Sequence, residues 1–181
     1  KEGQWEQALS LMERMQVEEL MPDVIAYSAA ISACKKVSQS KQALQLLSEM
    51  RKNDLVPNDI TFNAAVIACE RAGQREVGVS LLREAVSLGT ISPWLSTKAL
   101  DLHGFSVEVA KIAVISALDE SSPWRVAKGS REPELLIIVG RGNNSPGNER
   151  IIGPAVHAML REDFGLPLPP LLPEEGSFRI S

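Results

Sequence analysis

A chain of 181 residues with 44% hydrophobic and 23% charged content can bury one large core or two small ones, and is too apolar to be a disordered polar chain. No apolar stretch approaches the roughly 20 residues that a membrane helix needs, and two cysteines build neither a disulfide framework nor a zinc site. The net charge of -4 counts against non-specific polyanion binding, which depends on neutralising phosphates with Lys and Arg.

The first elements repeat. "GQWEQALSLMERM" from Gly3 places Leu9, Met12 and Met15 at helical spacing, and "SQSKQALQLLSEM" and "AGQREVGVSLLREA" repeat that stripe with Leu44, Leu47 and Met50, then Val79, Leu82 and Ala85. Between them, "PDVIAYSAAISACKK" from Pro22 lies over "PNDITFNAAVIACER" from Pro57 at an offset of 35 residues. Tyr27 then meets Phe62, Cys34 meets Cys69 and Gln39 meets Gln74. Each unit reads as two helices: a first over Val24 to Ala33 or Asp59 to Glu70, and a second over Gln39 to Lys52 or Gln74 to Ser87. An antiparallel helix pair cannot bury its stripe alone, so the pairs are expected to stack into a solenoid. Cys34 and Cys69, at equivalent positions, read as small buried core residues.

This stretch resembles the pentatricopeptide repeat family, on its 35-residue length, the aromatic-polar pairs Tyr27-Ser28 and Phe62-Asn63, the Ala-Leu of the second helix and the Met-then-Pro ending. The resemblance covers residues 1 to 92, about two and a half units, with the chain opening in the second helix of the first. It implies single-stranded RNA as partner, read one base per repeat by a few side chains. On that resemblance Ser28 cooperates with Asn58 in an adenine-leaning pair, and Asn63 is matched with Pro93, which has no hydrogen to donate. Two units hold about two bases, so either further repeats precede Lys1 or the array is a structural collar. Lys1 to Glu6 has neither signal-peptide nor transit-peptide character, and a plastid or mitochondrial address follows from the family resemblance alone.

After Ser87 the helical period stops at "LGTISPW", and residues 93 to 97 read as a linker. Residues 98 to 181 then alternate: a strand over Lys98 to His103, a helix capped by Ser106 and running to Asp119, a strand over Glu134 to Val139, a helix from Pro154 and a last strand over Ser177 to Ile180. Strand, helix and strand in that order form a β-α-β unit whose parallel strands bring their carboxyl ends to one edge. The whole is therefore expected to be α+β, an α-solenoid of helix-turn-helix repeats followed by a small two-layer α/β sandwich.

At that edge two polar stretches should share a crevice, Asp101-Leu102-His103-Gly104 and the glycine turn Gly140-Arg141-Gly142-Asn143-Asn144-Ser145. Strand alternation places Asp101 and His103 on one face, about 7 Å apart. An imidazole moves protons near neutrality, and a carboxylate beside it orients it or holds a metal ion. Arg141 with the amides around Gly140 and Gly142 can neutralise a phosphate. Each signal alone is weak, and a hydrogen-bonded structural pair is the plainer reading of Asp-x-His. His157 lacks an acidic neighbour at ligand spacing and reads as packing or surface, while Trp124 with the cations of Pro123 to Arg131 could stack on a base or be a solvated turn.

"LDLHG" from Leu100 and "VGRGNNS" from Val139, in that order behind the repeats, resemble the Smr (small MutS-related) domain. That resemblance implies nucleic-acid binding and, in some members, metal-assisted endonuclease activity, with Asp101 and His103 as catalytic candidates, Asp101 as a candidate ligand for Mg²⁺ or another divalent cation, and Gly140, Arg141 and Gly142 contacting phosphate. Val139 and Asn144 stand where the family usually has threonine and histidine, which weakens cleavage more than binding. The sequence thus points to an RNA-binding protein that cuts RNA through its second module, with a non-catalytic RNA-binding or protein-binding adaptor as the alternative.

Overall fold

The computed structural model describes residues 3–36, 39–119, 134–140, 151–168 and 176–180. The chain divides into two compact units, Lys1–Ile91 and Ser92–Ser181.

The first unit is five helices, α1 (Gly3–Val17), α2 (Val24–Lys36), α3 (Ser40–Lys52), α4 (Asp59–Arg71) and α5 (Arg75–Ser87). Their ends repeat as faithfully as their apolar stripes. Asp23 accepts from the Ala26 N–H at 2.8 Å and Asn58, the N-cap of α4, from the Thr61 N–H at 2.9 Å, each satisfying a donor that a helix start leaves unpaired. Glu19, Asp54 and Gly89, spaced by the repeat, all adopt the left-handed conformation (φ +56°, +56° and +70°). Beyond each, an N–H reaches back five residues, Leu20 to Met15, Leu55 to Met50 and Thr90 to Ala85, closing the carbonyls that a helix end exposes.

Tyr27, Phe62, Cys34 and Cys69 are fully buried between the pairs. Burial pushes the Cys34 thiol up and the Cys69 thiol up to about 11, so both are inert thiols of the core. Arg51 donates to both Glu84 carboxylate oxygens at 2.7 Å, tying the second helices of successive units together at the surface.

The second unit is a mixed four-stranded sheet in the order β1-β2-β3-β4, formed by β1 (Trp94–Ser96), β2 (Ala99–Asp101), β3 (Leu135–Ile138) and β4 (Ser177–Ile180). The helix α6 (Val107–Leu118) follows β2, and α7 (Ile152–Glu162) precedes β4. Strands β2 and β3 pair in parallel and flank them antiparallel β1 and β4. Leu100, Ile137 and Phe178 are cross-strand neighbours and all buried, which marks the packed face of the sheet. His157 of α7 meets Phe178 edge to face at 5.8 Å on that same side, so it is a packing residue.

Three details depart from the sequence expectation. The residues read as a linker include β1, which pairs with β2 at one edge. Helix α7 begins at Ile152, before Pro154, because a proline in the first turn lacks only an N–H that would have no helical partner. Strand β2 ends at Asp101, so His103 sits in the turn beyond it and not on the strand.

Candidate nucleic-acid and active sites

The end of β2 is fixed from both sides. The Leu102 N–H donates to the Ile138 carbonyl at 2.9 Å, and the Leu100 and Leu102 side chains are fully buried. The chain must then turn, and Gly104 at φ +76° takes the left-handed position. In that turn Asp101 Oδ1 accepts two hydrogens from one residue, the His103 N–H at 3.0 Å and the imidazole Nδ1 at 2.6 Å. Asp101 and His103 are therefore in direct contact, closer than the strand spacing suggested, because the chain curls after β2 instead of extending.

Partial burial pushes the Asp101 carboxyl up, but the hydrogen bonds from the His103 amide and ring, with the charge of the imidazolium, outweigh it and hold the carboxyl below its ordinary value. An ionised carboxylate on Nδ1 fixes the tautomer with the proton there, which leaves the Nε2 lone pair free. The His103 side chain is 59% exposed and that of Asp101 is 35% exposed.

Gly140, the first residue of the glycine stretch, reaches the same rim. The Gly140 and Val139 N–H groups both donate to the Gly176 carbonyl, at 3.0 and 2.8 Å. The Cδ2–Nε2 edge of the His103 ring lies directly over the Gly140 Cα, where a Cβ would be 2.9 Å from either atom. Arg141, Gly142, Asn143, Asn144 and Ser145 lie outside the described residues, as does Trp124.

In the first unit Ser28 and Asn58 also come together. Ser28 Oγ lies 2.7 Å from the Val24 carbonyl, 2.7 Å from Thr61 Oγ1 and 3.4 Å from Asn58 Oδ1. Asn58 Oδ1 accepts both the Thr61 N–H and the Thr61 hydroxyl at 2.9 Å.

A family model described as a pentatricopeptide repeat domain matches residues 10–71, and one described as an Smr domain matches residues 100–170. The chain joins pentatricopeptide repeats to an Smr domain. No curated protein matches it. The first domain implies binding to single-stranded RNA, and the second a nuclease-related or nucleic-acid-binding role. No described helix is long and apolar enough to cross a membrane.

Within the repeats, Ser28 is 6% exposed and its hydroxyl meets the Val24 carbonyl and the Thr61 hydroxyl. With the Asn58 oxygen occupied by Thr61, the Nδ2 amide is the part of Asn58 left to meet a ligand, and it can only donate. Asn63 is different: its Oδ1 is buried and meets no hydrogen-bond partner among the described residues, and Pro93, its match by register, lies in the other unit. Three residues that the sequence did not single out belong beside these. Thr61, fully buried, orients Asn58. Ile25 and Ile60, at equivalent positions of α2 and α4, expose large apolar side chains one turn before Ser28 and Asn63, where a base could stack; their recurrence at the repeat spacing was the available signal.

Within the Smr domain, the described residues do not make a cage for a divalent cation. Among them no three His, Cys, Asp or Glu side chains converge, and Asp101 Oδ1 is already committed to His103, leaving Oδ2 as one donor for a metal. The chemistry that the geometry does define runs through the imidazole.

Proposed function

We propose that the pentatricopeptide repeats hold single-stranded RNA and that the Smr domain hydrolyses its phosphodiester backbone, with His103 as general base. The observation that carries this reading is the Asp101–His103 contact at 2.6 Å on an exposed rim over Gly140. Nε2 takes a proton from the attacking water, a P–O bond forms to the water oxygen, and the P–O bond to the leaving ribose oxygen breaks, that oxygen taking a proton from solvent. Asp101 stabilises the imidazolium that forms, and Arg141, next in sequence to Gly140, supplies a cation for the phosphate. In the repeats, the Asn58 amide meets an acceptor on a base edge while Ile25 and Ile60 offer apolar surface to the base faces.

The substitution of asparagine at 144 for the family's usual histidine favours a second reading, a non-catalytic RNA-binding adaptor. A 5′-labelled single-stranded RNA incubated with the protein, with Mg²⁺ or with chelator, separates the two. Fragments that disappear in His103→Ala, with a rate loss of about 10²- to 10⁴-fold and RNA retention unchanged, are expected of the enzyme. Retention without fragments would establish the adaptor. We place the protein in plastid or mitochondrial RNA metabolism, on family resemblance; imaging the tagged full-length protein tests that address.

A further inference from the structure

Position 140 demands glycine for two separable reasons. Its φ of +76° lies in the left-handed region. Independently, a Cβ there would stand 2.9 Å from both Cδ2 and Nε2 of His103 and 3.8 Å from Cε1, closer than a Cβ approaches any atom without displacing it. The backbone cannot yield easily, because the Gly140 and Val139 amides share the Gly176 carbonyl and the neighbouring strand is locked by the Leu102 to Ile138 bond. The imidazole must move instead. Held on its other edge by Asp101 at 2.6 Å, it cannot swing away without losing that bond.

We propose that Gly140 is the positioning residue of the Asp101–His103 pair: its missing side chain forms the seat on which the imidazole rests, so that Nδ1 meets the carboxylate and Nε2 is presented at the start of the glycine turn. The catalytic consequence rests on the reading of His103 as general base; the seat itself does not. A glycine turn beside a histidine is thus more than an anion cradle, since one of its glycines acts on the base and not on the phosphate.

The control for backbone strain is in the same unit. Gly165 has φ +64° and no atom of the described residues within 4 Å of its would-be Cβ, so Gly165→Ala reports left-handed strain without a displaced ring. The experiment compares Gly140→Ala, Gly165→Ala, His103→Ala and the Gly140→Ala/His103→Ala double variant by thermal unfolding, and reads the His103 tautomer in Gly140→Ala by ¹⁵N NMR. Gly140→Ala is expected to lower the melting temperature more than Gly165→Ala, with that excess gone when His103 is already alanine, and to erase the bias toward the Nδ1-protonated tautomer. Cleavage should fall about 10²-fold, a larger loss than any in RNA retention, because the displaced imidazole acts in the chemical step. An equal loss of stability from Gly140→Ala in both backgrounds overturns the seat, as does an unchanged tautomer. Coupling and tautomer change in a protein that cuts no RNA would support the seat and reject the cleavage reading.

Discussion

The buried cluster of the repeats and the exposed rim of the Smr domain start from the same device. In each, one oxygen of an Asn or Asp accepts both the backbone N–H and the side-chain hydrogen of a single later residue: Asn58 from Thr61, Asp101 from His103. What differs is burial and the residue that donates. Thr61 is fully buried and its hydroxyl has no further role to play than to bridge Asn58 and Ser28, so that arrangement fixes shape. His103 is largely exposed and has a second nitrogen, so the same geometry there leaves a reactive lone pair at the rim, beside Gly140. The lesson is that this hydrogen-bond pattern carries no function of its own; exposure and the spare nitrogen supply it.

The sharpest way to break the comparison is to remove its acceptor on the exposed side. Asp101→Ala takes away the partner of the His103 amide and ring, and single-turnover RNA cleavage is expected to fall about 10²-fold or more, with little change in RNA retention. On the buried side, Thr61→Val replaces the bridging hydroxyl by a methyl group and leaves Ser28 and Asn58 each short of one partner. Chemical denaturation should then show a loss of about 1–3 kcal/mol, largely recovered by Thr61→Ser. A smaller effect of opposite sign is expected at Asn63, whose buried oxygen has no partner. Asn63→Ala removes that oxygen and improves helix propensity, so unfolding should become harder by about 1 kcal/mol.

The smallest effect is the pH dependence. Because the folded-state value of Asp101 lies below its ordinary one, its contribution to stability is fully present above the ordinary carboxylate value and is lost as pH falls through the lower folded value. Asp101→Asn should flatten the acid side of the melting-temperature profile, with its deficit against the wild type largest near neutrality and vanishing as pH falls through the folded value.

Much of this was legible in the sequence. The 35-residue offset gave the helix pairs to within a few residues, because the apolar stripe and the cap residues Asp23 and Asn58 recur together. The order of strand, helix and strand gave the parallel pair and so the shared rim. Other features left no local trace. Strand β1 is only Trp94–Ser96, too short for alternation to show. Thr61 escaped notice because the equivalent residue of the preceding unit is Ala26, so repetition offered no hint of a hydroxyl. The turn that brings His103 onto Asp101 reversed an extended-strand expectation, since Gly104 bends the chain at the point where β2 runs out of partners. The ring of His103 over Gly140 is a tertiary contact between distant segments, which no spacing can encode.

Chemical rescue tests the central claim most directly. His103→Ala leaves a space beside Asp101 that free imidazole can enter, so adding imidazole to this variant should restore cleavage of a labelled single-stranded RNA in a saturable way, while the Asp101→Ala/His103→Ala double variant responds more weakly. Cleavage that is equally fast in wild type and His103→Ala, and indifferent to imidazole, would contradict a base at this position.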